Sequence, residues 1–296
     1  ISIQNKSDNS YVFLSSKYNQ NANDVSDYDI GNIDSMALKG DYEKYDIGGD
    51  GKFFVVRVFN VSVNPFTDAR TSYFHKSIGG YHAAKLLRYQ EIIENQLSKN
   101  NREVINMLNT KYFIAPNKQK EPVAQLNPEA NCVGWFVQSL LWVNSANDEM
   151  SALDNFTSKT EAIIDNRFRG LISDLADNQS GKGQVLLETY DPKHMVYQVN
   201  NDDSKNQLAV FSEIYYSGNK DWKAYIDGKY INHIRADYIL RGLSIPTGQH
   251  KVEFKFEPKA YLLGNQISMA FSGILLLLIG LAGFMSWRES QPKSEE

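Results

Sequence analysis

The stretch that decides the architecture is Ile267-Ser-Met-Ala-Phe-Ser-Gly-Ile-Leu-Leu-Leu-Leu-Ile-Gly-Leu-Ala-Gly-Phe-Met-Ser-Trp287. No charged residue falls between Lys259 and Arg288. At ~1.5 Å per residue, a run of about 21 residues makes roughly 31 Å of helix, the thickness of a bilayer's hydrocarbon core. Tyr261 lies just before it, and Trp287 and Arg288 sit together at its end. That is the aromatic and basic punctuation of membrane interfaces. The alternative is a buried core helix, but core helices are seldom this long without a charge. The chain therefore reads as a large polar domain tethered to a membrane near its C-terminal end. Charge leaves the orientation open. Lys255 and Lys259 precede the helix, while Arg288 and Lys293 follow it, so the positive-inside rule favours neither side.

Working outward, Lys251-Val-Glu-Phe-Lys-Phe-Glu257 alternates with period two and predicts a strand with one wet and one buried face. Before it come further short runs: Gln184–Tyr190, Val196–Asn200, Leu208–Tyr215, Trp222–Ile226 and Tyr238–Ile245. Turn signals separate them at Asn201-Asp-Asp203, Asp227-Gly228 and Pro246-Thr-Gly248. Asp-Gly between two strand-like runs is a strong hairpin signal. This half reads as an antiparallel β-sandwich of about seven strands.

The first half is mixed. Residues 1–52 are rich in Asn, Asp, Ser and Gly, and read as a loop-rich entry with apolar islands such as Tyr11–Leu14. Gly48-Gly-Asp-Gly51 marks a turn before a strand expected at Phe53–Phe59. That turn lacks the alternating carboxylates of a calcium loop. Leu86, Tyr89, Ile93 and Leu97 fall at helical spacing, and Asn101–Leu108 predicts a second short helix. Strands are expected at Lys111–Ala115 and Gly134–Ser139, with a Lys-, Pro- and Asn-rich loop at 117–131 between them. A helix around Asp148–Asn155, apolar Ala162–Ile164 and a helical patch to Leu175 follow. The fold class is α+β: a small mixed α/β layer, then an antiparallel β-sandwich, then one C-terminal transmembrane α-helix. The expected boundaries are 1–182, 183–258, 259–288 and a tail at 289–296.

Composition excludes several functions. The net charge of −4 has no strongly basic block behind it, so a nucleic-acid partner has little electrostatic support. A single cysteine, Cys132, excludes an internal disulfide and a cysteine-built metal site. The five histidines show no zinc-helix spacing, and no Gly-x-Ser-x-Gly elbow or Walker loop is present. Scattered carboxylates do not single out an acid and a base. The N-terminus, Ile1-Ser-Ile-Gln-Asn-Lys, is polar and is no signal peptide. The expectation is a C-terminal piece of a longer protein, the alternative a tail-anchored cytosolic one.

The best candidate for function is Asn64–Tyr89, which places Asp68, His75, Lys76, His82, Lys85, Arg88 and Tyr89 within a short span. Cations pair with phosphate oxygens and aromatic rings stack on sugars, so the set suits a phosphate or a sugar. The competing reading is a structural corner whose polar groups bond to backbone. Trp222 and Tyr225 are candidates for a carbohydrate platform, although strand spacing favours sandwich core.

These motifs carry a resemblance. The stretch from Asn64-Pro-Phe-Thr-Asp-Ala-Arg to Tyr89 closely resembles the signature of the YfhO family of bacterial membrane proteins in its Bacteroidetes form. So do Met107-Leu-Asn-Thr-Lys-Tyr-Phe-Ile114, Trp222-Lys-Ala-Tyr-Ile-Asp-Gly228 and Leu240–Pro258. The likeness covers roughly residues 10–287, in order. Two departures stand out: Cys132-Val-Gly-Trp-Phe-Val137 lacks the family's Gly and Asn, and Tyr215–Trp222 lacks its Pro. The resemblance implies a polytopic protein of the cytoplasmic (inner) membrane similar to GT-C glycosyltransferases, which take a sugar from a polyprenyl-phosphate carrier. The domain would be periplasmic and the tail cytoplasmic. Its partners would be the bilayer, a missing N-terminal transmembrane region and a cell-envelope glycan or lipid acceptor. No cofactor beyond the lipid-linked donor is implied. The catalytic carboxylate would lie upstream, leaving this chain to shape the groove, with His82, Lys85 and Arg88 facing the phosphate. Alanine at Arg88 would then lower transfer without unfolding the protein. The alternative function is a non-catalytic, membrane-anchored carbohydrate-binding or envelope-assembly module. A self-contained anchored hydrolase has the least support.

Overall fold

The computed structural model describes residues 2–5, 11–14, 56–120, 122–216 and 218–289. The Gly48–Gly51 turn, the first part of the Phe53–Phe59 strand and the tail beyond residue 289 lie outside them. Near the N-terminus, β1 (Ser2–Asn5) and β2 (Tyr11–Leu14) pair antiparallel.

Two antiparallel sheets form the sandwich. The first has the order β13-β12-β16-β10-β9, built from Lys229–Ile231, Trp222–Ile226, Gly248–Phe256, His194–Asn201 and Gly183–Asp191. The second runs β14-β15-β11-β6, from Ile234–Ala236, Leu240–Ile245, Gln207–Ile214 and Gly134–Phe136. The Asp227-Gly228 turn closes β12 onto β13 as its sequence predicts, with both residues at positive φ. β6 comes from well before Gly183, so the sandwich reaches back across the boundary expected there. The short β14 leaves no mark in the sequence, because three residues are too few to show a period, and β13 is announced only by the turn before it.

Between the sheets, Tyr197, Phe211 and Phe254 meet edge-on, with ring centroids 5.0, 5.1 and 6.1 Å apart. Each comes from a different strand. Met195, Ala224, Leu243, Ile245 and Val252 fill the space around them. β12 alternates as expected: Trp222, Ala224 and Ile226 point inward, while Lys223 and Tyr225 point away.

β11 does not alternate. Ala209 and Phe211 face the sandwich, whereas Leu208 and Val210 face a second core on the other side. β15 is likewise buried along its whole length. The second sheet is therefore a middle layer, and strands covered on both faces read as continuous apolar runs.

The outer layer is made from two strand–helix–strand units. In the first, β3 (Arg57–Asn60) and β4 (Thr110–Pro116) lie parallel. The chain between them carries α1 (Arg70–Phe74), α2 (Leu87–Asn95) and α3 (Arg102–Met107). In the second, β7 (Ser139–Val143) and β8 (Glu161–Asp165) lie parallel around α4 (Ala146–Ala152). Asn101 and Ser145 cap α3 and α4 through side-chain oxygens that accept backbone N–H bonds. Ile92, Ile93, Leu97, Ile105 and Leu108 pack on β8 and the middle sheet. The expected loop at 117–131 contains a strand, β5 (Pro122–Leu126), on the edge of β4; its opening proline and exposed residues hid it. The helical patch toward Leu175 is a short 3₁₀ segment, Asn166–Leu171. A single helical turn, α5 (Gly218–Asp221), leads into β12.

The chain's last element is α6 (Lys259–Glu289). Within its span Lys259–Trp287 an 18-residue window reaches a mean hydropathy of 2.3, and none of the span is buried against the rest of the protein. A soluble core helix would be covered; this one offers its leucines to the surroundings on every side. Only Glu257 and Pro258 separate it from β16.

His233 lies fully buried between the sheets, 5.2 Å from the Tyr215 ring and 5.7 Å from Phe254. Neither ring nitrogen has a hydrogen-bond partner. Burial, reinforced by Arg241 and Lys223, pulls its pKa down to about 3 from 6.5. Between those values the unfolded chain binds a proton that the folded chain refuses, so stability falls as pH drops below 6.5. By pH 5 the loss is roughly 2 kcal/mol. His233→Phe keeps the ring stacking and removes this loss. The melting temperature of the variant should fall less between pH 7 and pH 5 than that of the wild type, with little change at pH 7. An unaltered pH slope in thermal melts would refute the assignment.

Candidate functional site

The segment Asn64–Tyr89 is held in place by a close backbone approach. The Gly80 N–H donates to the Pro65 carbonyl at 2.6 Å, and a Cβ on Gly79 would lie 2.0 Å from that same oxygen. Only glycine fits there. The Tyr89 hydroxyl donates to the Ile78 carbonyl at 2.7 Å, fixing the start of α2 to the corner. Burial raises its pKa to about 12, so it stays a neutral donor.

The corner folds over the ends of β11, β12 and β15 and leaves a groove of about 550 Å³. His82, Lys85, Leu86 and Tyr89 form one side, and Glu213, Trp222 and Arg241 the other. His82 is exposed, and its Nδ1 accepts from the Ala84 N–H at 3.1 Å. Lys85 Nζ donates to the Gly80 carbonyl at 3.3 Å. Both sit at the rim.

Three of the seven corner residues singled out in the sequence, His82, Lys85 and Tyr89, line this groove; four do not. Asp68 forms a fork with Arg70, whose Nη2 lies 2.6 Å from Oδ2, and this holds its carboxyl below the usual range. His75 is desolvated to a pKa of about 4. Lys76 is exposed as a residue, but its ammonium sits 3.3 Å from the centre of the Tyr190 ring. Desolvation at that end lowers its pKa to about 8, partly offset by Glu213.

Arg88 turns away from the groove. Its Nη1 lies 3.3 Å from Glu149 Oε2 and 3.4 Å from the Tyr238 carbonyl, and its guanidinium covers the Tyr238 ring at 4.3 Å. Glu149 is wholly buried and also accepts from Arg235 Nη2 at 2.9 Å and the Tyr238 N–H at 3.1 Å. Arg88 is thus half of the charge balance for a buried carboxylate, and the expected phosphate-facing role has no geometry behind it. Sequence spacing placed Arg88 beside Lys85, but it could not show Glu149 arriving from α4.

Trp222 and Tyr225 do not make a platform together. Three residues apart on a strand, they point to opposite faces. Trp222 is buried against Phe256, with ring centroids 5.3 Å apart. Tyr225 stands on the outer face, edge-on to Tyr230, with its hydroxyl 3.2 Å from Glu257.

Two groove residues, Glu213 and Arg241, were not foreseen from the sequence. Both fall within apolar strands far from the candidate segment, and a charge inside such a run was the available signal. Arg241 is 2% exposed. Its Nε donates to the Ile214 carbonyl at 3.1 Å, and its guanidinium lies 4.0 Å from the Trp222 ring centre. Among the described residues, no cluster of three or more His, Cys, Asp or Glu side chains is placed to hold a metal ion.

Trp222 also sets the height of the groove. It pairs across the sheet with Phe256, and the Glu257 N–H donates to the Asp221 carbonyl at 2.6 Å. The groove wall is thereby bonded to the last residues before α6.

Removing the Arg88 side chain leaves Glu149 buried with one arginine instead of two. Arg88→Ala should therefore destabilise the fold, by about 1–3 kcal/mol, through a partly uncompensated buried carboxylate. Chemical denaturation measures this; an unchanged midpoint would show that Arg235 suffices alone.

No curated protein and no solved structure matches the chain. The family model described as bacterial membrane protein YfhO matches residues 174–268. The matched residues cover most of the sandwich and the opening turns of the exposed apolar helix, so this part of the chain is similar to the YfhO family of bacterial membrane proteins, in keeping with a helix long and apolar enough to cross a membrane.

Proposed function

We propose that the chain is the periplasmic portion, with one membrane helix, of a glycosyltransferase-like protein of the cytoplasmic membrane. The donor is a sugar carried on a polyprenyl phosphate, and the acceptor is an envelope glycan or lipid. The groove between the 64–89 corner and the sandwich receives the donor head group. The catalytic carboxylate belongs to loops between membrane helices outside this chain.

One observation carries the reading. The groove wall is hydrogen-bonded to the residues that enter α6, through Trp222 opposite Phe256 and Asp221 bonded to Glu257. A site at that height meets head groups projecting from a bilayer, whereas a soluble substrate would require no such tether. The groove's volume suits a sugar phosphate, and its walls mix an aromatic ring with cationic and anionic groups.

Leu86, 38% exposed at the rim, is the place to close the groove without touching the core. Leu86→Trp in the full-length protein should cut envelope sugar transfer at least tenfold in a complemented deletion strain, with membrane protein levels unchanged. Transfer at the wild-type level would remove the groove from the reaction.

A further inference from the structure

We propose that Arg241 forms the floor of an oxyanion site in this groove, which takes a phosphate or diphosphate group. The inference rests on reading the groove as a substrate site and adds the residue that holds the charged part of the substrate.

The guanidinium is placed by three contacts. Nε donates to the Ile214 carbonyl, Trp222 lies under the plane at 4.0 Å, and Phe254 flanks it at 5.1 Å. These fix its orientation but leave Nη1 with no hydrogen-bond partner. A buried cation with an unmet donor is costly, and few such groups persist in folded proteins without a purpose. Arg241 belongs to a strand covered on both faces, where an apolar residue would cost nothing.

The nearby carboxylate does not satisfy it. Among the described residues, Arg241 makes no ion pair within 4.0 Å. Glu213 pairs instead with Arg57 Nη2 at 3.6 Å. Arg57 is in turn anchored by Nη1 to the Leu108 carbonyl and the Ser212 hydroxyl, both at 2.8 Å. Glu213 is thus engaged by Arg57 from outside the groove lining, and Arg241 is left as the unpaired guanidinium of the inner wall. Lys85 adds a further cation at the rim. Arginine presents a fixed fork of donors that matches phosphate oxygens, and such bonds strengthen in a site that excludes water.

The phosphate has two sources, a lipid head group or a free anion, and both can be tested on the full chain in nanodiscs. The probes are farnesyl phosphate, farnesol, inorganic phosphate and pyrophosphate. Farnesyl phosphate or pyrophosphate should bind, farnesol should not, and inorganic phosphate should compete. Arg241→Gln should weaken binding at least tenfold. Glu213→Gln, which removes the competing carboxylate, should tighten it two- to fivefold. This opposite sign guards against an Arg241 variant that fails to fold. Farnesyl phosphate well above pyrophosphate in affinity names the lipid source; equal affinities name a free anion. No anion binding by the wild type, or equal binding by wild type and both variants, overturns the site. If anions bind through Arg241 while Leu86→Trp still transfers sugar, the oxyanion site stands and the reading of the groove as the donor site of the transfer falls.

Discussion

Burial of the middle sheet on both faces is the constraint from which the rest of the structure follows. β11 supplies Ala209 and Phe211 to one core and Leu208 and Val210 to the other. Neither the sandwich nor the helical layer closes without it. A sheet in that position leaves no water for a polar group, so each exception must be held by protein atoms or by a ligand. Ser212 meets the exception by donating to the Met107 carbonyl and accepting from Arg57. Arg241 meets it only in part, and it does so where the sheet opens into the groove.

The outer layer solves a related problem with charge. Glu149 is buried completely, and Arg88, Arg235 and the Tyr238 N–H gather around it. Asp165 adds a second carboxylate, 3.8 Å from Arg235. Asp237 nearby is buried with Oδ2 unpartnered, and desolvation lifts its pKa to about 8. It stays largely protonated over the range in which an unfolded aspartate is ionised. Asp237 and Tyr238 both take positive φ, and that bend turns the Tyr238 N–H onto Glu149. The loop between β14 and β15 is shaped by this buried charge.

Much of this was legible in the sequence. The membrane helix declared itself by length and lack of charge. β12 matched its predicted limits, Trp222–Ile226, because alternation and an Asp-Gly turn both marked it. The role of β11 was hidden, because an apolar run shows burial without showing how many layers do the burying. The site was half legible. The 64–89 corner is dense in polar side chains and was found locally, but its partners come from strands more than a hundred residues away. Glu213 and Arg241 become neighbours of Lys85 only through the register of β11 on β15. The pairing of Arg88 with Glu149 is equally non-local.

The junction between β16 and α6 is two residues long, and one of them is Pro258, whose ring locks its backbone φ. A connection this short and stiff has no slack to absorb motion. Any tilt of the helix in the lipid is passed to β16 as a lever passes torque, and from β16 to β12 through their shared ladder. Bilayer thickness, to which a helix can respond by tilting, therefore becomes a mechanical input to the position of Trp222 and the mouth of the groove.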